Sequence, residues 1–240
     1  MSKSVRKKHI VVFTDGSCAG NGKQNASGGI GIHFPNGELT DVSKIYRNGY
    51  CTNQKTELFA ILTALRYINQ NLGLSKYKVL IKTDSDYSIN CVTKWVYGWI
   101  KNGWKTQNNK PVANKEYIEA IHKYYENYDI TFEHVDAHTG LDDDDSIANA
   151  RADELATKAT KKAIKEMRMN HTSQKPPQGS KSVRNYSDTR SKNKKKTNYS
   201  IVEEYSPQLS SSKNTQKKNN NFTFFPKNNN FVVELVKSKN

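Results

Sequence analysis

Cysteine is scarce in this sequence. Cys18, Cys51 and Cys91 are the only three in 240 residues. Their number is odd and their spacing fits no metal-ligand pattern, which argues against a disulfide framework or a thiolate metal centre and makes reduced thiols the default. Long apolar runs are also missing. No stretch is long enough to span a bilayer, and Ser4-Val5-Arg6-Lys7-Lys8 leads into strand-like sequence without a secretory core. An intracellular chain with no membrane partner is expected, the choice between cytoplasm and nucleus being left open. Acids are outnumbered, 23 against 38 Lys and Arg, for a formal net charge of +15; that balance favours a polyanionic partner.

The imbalance is local. Residues 1–160 hold 20 Lys and Arg against 18 Asp and Glu, whereas 161–240 hold 18 against 5. Residues 170–221 are rich in Ser, Asn, Lys and Gln and bury too little apolar surface to offset chain entropy. We therefore expect a short basic arm (1–8), a folded catalytic domain (9–167) and a low-complexity basic tail (168–240), largely disordered. Within the tail, 221–236 is apolar enough to dock on the domain or on a partner. The cluster Ser191-Lys192-Asn193-Lys194-Lys195-Lys196 suits a nucleic-acid tether, a nuclear-localisation signal or a solubilising tract.

The first 167 residues read as α/β. His9–Thr14 and Lys78–Thr83 are β-branched runs closed by Asp15 and Asp84, which places both acids at strand ends. Gly28–Phe34 alternates into the turn Pro35-Asn36-Gly37, and Glu38–Tyr46 returns as a hairpin partner. A helix from about Asn53 to Gln70 then crosses to the Asp84 strand, which makes two strands parallel. Helices near 86–103 and 115–127, a strand at Ile130–Val135 and a helix from about Ile147 to Met167 complete a five-stranded mixed sheet flanked by helices.

Asp15, Glu57, Asp84 and Asp153 thus sit at two strand ends and on two helices that can converge. Singly, each is more often a turn or cap residue. Together, four hard oxygen ligands suit two divalent ions that clamp an in-line phosphoryl displacement. The local contexts sharpen this reading. Thr14-Asp15-Gly16-Ser17-Cys18, Thr52-Asn53-Gln54-Lys55-Thr56-Glu57, Lys82-Thr83-Asp84-Ser85-Asp86-Tyr87, Val135-Asp136-Ala137-His138-Thr139-Gly140 and Arg151-Ala152-Asp153-Glu154-Leu155-Ala156 follow one another in order. Over about residues 8–165 the chain closely resembles the type 1 ribonuclease H family.

That resemblance implies the ribonuclease H-like fold and metal-dependent, endonucleolytic cleavage of the RNA strand of an RNA–DNA hybrid, leaving 3′-hydroxyl and 5′-phosphate ends. It implies two Mg²⁺ ions, with Mn²⁺ as the alternative, on Asp15, Glu57, Asp84 and Asp153, and His138 as a mobile catalytic histidine. His134, inside a strand, reads as structural. Cys18, Asn21, Gly22, Asn53 and Gln54 match positions that read the RNA strand, where the 2′-hydroxyl tells RNA from DNA. Thr52, Trp95, Trp99, Lys101, Lys105 and Asn114 match the DNA-strand side, with Trp95 touching DNA and Trp99 partly packed. A monomer is expected.

Three departures from the family stand out. Tyr50 occupies the position of a phosphate-pocket arginine, which either weakens DNA-phosphate anchoring or leaves Lys55 or Lys115 to compensate. Ala150 stands where many relatives carry an acid. The loop Gly140–Ser146 holds four consecutive acids, Asp142–Asp145, which reads either as a solvated tip or as a recruiter of extra divalent ions. Two rival classes remain: a non-catalytic hybrid-binding module, disfavoured because all four carboxylates are present, and another nuclease of the same superfamily.

Overall fold

Five strands form one sheet in the order β3-β2-β1-β4-β5. They comprise β1 (Lys8–Ala19), β2 (Ser27–His33), β3 (Val42–Tyr46), β4 (Tyr77–Thr83) and β5 (Ile130–His134). The structure, a computed structural model, describes residues 7–137 and 140–173. His138, residues 191–196 and the apolar segment 221–236 lie outside the described residues. The helices are α1 (Asn53–Asn71), α2 (Asp86–Asn90), α3 (Val96–Lys101), α4 (Lys115–Asn127) and α5 (Asp144–Ser173), with a π-helical turn, Cys91–Trp95, between α2 and α3. The expected mixed sheet with flanking helices is present.

The central strand has two partners of different reach. β1 runs parallel to β4 from Lys8↔Tyr77 to Phe13↔Lys82, and antiparallel to β2 from Phe13↔His33 to Ala19↔Ser27. Asp15 is therefore inside β1, opposite Gly31, and not at a strand end as its sequence context predicts. The β4 ladder stops at Phe13 while the β2 ladder continues, so the β4 side of Asp15 has no ladder partner. Asp84 does follow the last residue of its strand.

Alternation along β1 separates two faces. Ile10 and Val12 join the main core with Leu58, Ile61, Leu65 and Ile68 of α1 and Ile118 and Ile121 of α4. Phe13 joins a smaller cluster with Val135 and with Ala148 and Ala152 of α5. Side chains such as Leu58, Ile61 and Leu65 are fully buried, each stabilising the fold by about 1.5–3 kcal/mol relative to exposure. On the other face α5 lies almost on the sheet backbone. A Cβ at Gly31 would fall 1.9 Å from the Ala152 carbonyl oxygen, and one at Gly29 would fall 2.4 Å from the Ala159 Cβ. Only glycine permits that approach.

Other boundaries differ from the sequence reading. β3 begins at Val42, not Glu38, because Asp41 Oδ1 turns aside to meet His33 Nδ1 at 2.8 Å and to accept from Phe34 N at 3.2 Å. The segment 86–103 is not one helix but α2, the π turn and α3. α5 starts at Asp144 and runs through Ser173, so residues 168–173 belong to a helix and not to a disordered tail. Once nucleated, a helix gains a hydrogen bond for each residue added, and no proline intervenes before Pro176. No helix of the described residues is long and apolar enough to cross a membrane.

Candidate active site

Glu57 reaches Asp15 because α1 presses its first turn onto β1 at Gly16. A Cβ there would stand 2.2 Å from Glu57 N and 2.3 Å from the Thr56 carbonyl carbon. Thr52 caps this helix, its Oγ1 accepting from Lys55 N at 3.2 Å; Asn53 is the first helical residue. On β4, Lys82 pairs in register with Phe13 and shares its α5-facing side, and the two-residue period puts Asp84 on that side with Asp15. Asp153 arrives from α5, which packs on β1 and β2.

The four carboxylates meet electrostatically. Burial is the main reason that Asp15 is pushed up to about 7, and the charges of Asp84, Asp153 and Glu57 each add to the rise against a backbone hydrogen bond at Gly16. Glu57 is also raised, first by burial and then by Asp84, while hydrogen bonds from Ser85 and Ser88 oppose the shift. Ser85 Oγ donates to Glu57 Oε2 at 2.5 Å and caps α2 by accepting from Ser88 N. Asp153 Oδ1 accepts from Thr157 Oγ1 at 3.3 Å and opens on a depression shared with Glu154, Thr157, Lys158 and Lys161.

Among the described residues no three His, Cys, Asp or Glu side chains already stand at metal-holding spacing; the four acids are electrostatic neighbours and not a closed shell. Their chemistry nevertheless fits a hard divalent cation. All donors are oxygens, and a partly buried acid among three others gains most from positive charge.

The acidic loop has structural uses. Asp143 caps the start of α5, accepting from Ser146 N at 2.9 Å and from Ser146 Oγ at 2.7 Å. Asp145 accepts from Lys82 Nζ at 2.5 Å, and Glu133 lies 3.1 Å from the same nitrogen. Lys82 is nearly buried in β4, so the pairing ties the Asp84 strand to the Asp153 helix. Sequence reasoning missed both Lys82 and Ser85. A lysine inside Val79-Leu80-Ile81-Lys82-Thr83 was the available signal, since a buried charge demands a partner.

The RNA-strand candidates gather beside the carboxylates. Asn21 Oδ1 accepts from Asn53 N at 3.3 Å, linking the loop after β1 to the exposed first turn of α1, where Gln54 also lies. Gly22 adopts φ +79° in that loop, with open space around its α-carbon. Cys18 lies near its partner across the α1 face, with Cys51 Sγ 3.0 Å away. On the DNA-strand side, Trp95 is 46% exposed and meets Tyr87 and the partly buried Trp99 edge-on. Lys101 and Lys105 are exposed. Asn114 is left-handed at φ +58° and donates to Tyr87 Oη at 3.1 Å. Lys55 Nζ sits 5.9 Å from the Tyr50 ring centre, whereas Lys115 covers Trp104. His134 is half-exposed, 4.0 Å from Asp86.

A mixed sheet that gathers four acids, on a fold that also exposes Trp95 with Lys101 and Lys105, fits the nucleic-acid-cleaving α/β class. Residues 7–161 match the RNase H family. The chain is 44% identical over 220 residues to a probable ribonuclease H of Acanthamoeba polyphaga mimivirus, covering 92% of this chain and 89% of the relative. It is 38% identical over 155 residues to human ribonuclease H1, covering 64% of this chain and 51% of that one, so it spans about half the human enzyme. Among solved structures, LC9-RNase H1 superposes with a TM-score of 0.53 at 23% identity, over 67% of this chain and 76% of the other. The chain belongs to the RNase H family. It is a hydrolase that cuts the RNA strand of RNA–DNA hybrids endonucleolytically, with the divalent-metal dependence general in that family.

Proposed function

We propose that Asp15, Glu57, Asp84 and Asp153 would hold two Mg²⁺ ions, or Mn²⁺ in their place. Such ions would supply water activation and charge stabilisation at the departing 3′ oxygen, and would leave end products with 3′-hydroxyl and 5′-phosphate groups. The observation that carries this reading is the convergence of three carboxylate charges on the partly buried Asp15. Ser85 orients Glu57 through its short hydrogen bond, and Thr157 steadies Asp153. His138 serves as a proton shuttle or an aid to product release.

The RNA strand lies against Cys18, Asn21, Gly22, Asn53 and Gln54, a polar ledge supported by the Asn21–Asn53 hydrogen bond. The DNA strand runs over Trp95 and Trp99 toward Lys101 and Lys105, with Thr52 and Asn114 at a phosphate. Lys55, beside Tyr50, supplies the charge that the pocket's usual arginine would carry. The catalytic domain acts as a monomer on a hybrid, and the basic tail tethers further nucleic acid or a protein.

End-labelled RNA–DNA hybrid, incubated with wild type and Asp15→Asn in Mg²⁺ and in EDTA, tests the reading. RNA-strand cuts that need metal and fall at least about 1,000-fold in the variant are expected. Cuts that survive Asp15→Asn would sink the metal assignment, and intact hybrid held tightly by wild type would make the chain a binding module.

A further inference from the structure

Two of the three cysteines are in contact, although 33 residues separate them: Cys51 Sγ lies 3.0 Å from Cys18 Sγ. Three elements create the contact. Cys18 sits on β1 opposite Gly28 of β2, and Cys51 precedes the cap of α1. The missing side chain at Gly28 leaves the space that the Cys51 sulfur fills, since a Cβ there would stand 2.4 Å from it. A disulfide has an S–S bond of about 2.05 Å, so the two sulfurs need to close by only about 1 Å. Cys91 is fully buried on the π turn.

We propose that Cys18 and Cys51 form a reversible disulfide in exchange with a small-molecule disulfide such as oxidised glutathione, and that this modification weakens hybrid binding. Cys18 is half-exposed and Cys51 is buried, which sets the order of events. The Cys18 thiolate attacks one sulfur of the small disulfide, whose S–S bond breaks to release one thiol. Cys51 loses its proton to solvent base and attacks the Cys18 sulfur, expelling the second thiol. Two protein thiols are oxidised and one small disulfide is reduced to two thiols. Burial, and next the hydrogen bond to Cys18, push the Cys51 thiol up to about 12. That shift makes the more accessible Cys18, and not Cys51, the first attacker, and the 3.0 Å contact places Cys51 for the second.

The consequence for the enzyme rests on the reading of Cys18, Asn21, Asn53 and Gln54 as the RNA-facing ledge. Cys18 is three residues before Asn21, and Cys51 is two before Asn53, whose amide holds Asn21. The bond would pin both sides of that ledge and take the Cys18 sulfur away from the RNA. Asp15 and Asp153 lie on the other face of the sheet, and Glu57, although on α1, is held from the far side by Ser85, so turnover of bound substrate is spared.

The full chain is equilibrated in glutathione redox buffers, its free thiols are alkylated under denaturing conditions, and its peptides are mapped by mass. Oxidation is expected to remove two alkylation sites and link the Cys18 and Cys51 peptides, with Cys91 still alkylated. Cys91→Ser should behave as wild type, and Cys51→Ala should yield no linked peptide. Hybrid cleavage by the oxidised protein should show a KM raised at least fivefold with kcat within twofold, restored by dithiothreitol. Three free thiols throughout, or a link that involves Cys91, would overturn the disulfide. A Cys18–Cys51 link that leaves KM unchanged would overturn its effect on binding. Because peptide mapping needs no substrate, failure of the disulfide and failure of the RNA-ledge reading give different results.

Discussion

Helices α1 and α5 bring Glu57 and Asp153 to the same place, but the sheet seats them by opposite means. α1 is buried along most of its length, with Leu58, Phe59, Ile61, Leu62, Leu65 and Ile68 in the main core. Glu57 is fixed by that packing, by the contact at Gly16 and by Ser85. α5 buries mostly alanine against glycine, its apolar cluster is small, and its N-terminus is held by Asp143 and by the Lys82–Asp145 pair. Its carboxylate opens on solvent with one weak hydrogen bond. One half of the site is set by bulk and the other by its absence together with charge. Small perturbations should therefore register differently on the two sides.

The largest effect falls where the two halves meet. Asp15→Asn removes activity and, in metal-free protein at neutral pH, stabilises the fold. The folded carboxyl sits near 7 against 3.8 for the ordinary group, so its penalty is absent below about pH 4, grows as pH rises to 7 and is constant above. The upper bound is about 4 kcal/mol. Urea unfolding in EDTA should show wild-type stability falling between pH 4 and 7 and a flatter profile for the variant. Equal slopes would mean that neither burial nor the three neighbouring acids burden Asp15.

On the α1 side, Ser85→Ala takes a hydrogen bond from Glu57 and a cap from α2. We expect a loss of about 1–2 kcal/mol in thermal unfolding and a kcat lowered roughly tenfold by misplacement of Glu57. The acid limb of the pH–rate profile should also move up, because Ser85 lowers the Glu57 pKa. A changed KM with unchanged kcat would place Ser85 outside the carboxylate set.

Lys82→Met probes the α5 side. Its pair links the strand before Asp84 to the helix of Asp153, and both acid partners are about half exposed, so about 1 kcal/mol of stability should be lost. The Mg²⁺ concentration for half-maximal rate should rise a few-fold, while Glu57-dependent behaviour stays as in wild type. An unaltered metal titration would show that α5 needs no ionic tie. The smallest effect is Thr157→Val, at about 0.5 kcal/mol and less than twofold in rate, measured by denaturation and steady-state kinetics. A tenfold loss would mean that Asp153 depends on this one hydrogen bond.

Much of this was legible from sequence, for a physical reason. Strand and helix periods are local, so the α1 helix, the hairpin turn and the parallel crossover could be read from short windows of sequence. The four acids stood out because Asp15 and Asp84 follow strand-like runs, Glu57 opens a helical one and Asp153 lies within another. Asp15 was misplaced within its strand because two neighbours of unequal reach decide where β1 ends, and ladder length is a property of pairs. Lys82–Asp145, Glu57–Ser85 and Cys18–Cys51 join positions 63, 28 and 33 residues apart; no local pattern carries such a distance. α5 overran its expected end because a basic composition does not stop a helix.

Gly31 faces Asp15 across the β1–β2 ladder, and its empty side touches the carbonyl just before Asp153. It works as a shim of zero thickness between the layer that carries one acid and the layer that carries the other. A single methyl at this position would lift α5 and widen the gap between the two acids with neither acid substituted. Sequence drift can reach the carboxylate cluster through a residue that carries no charge of its own.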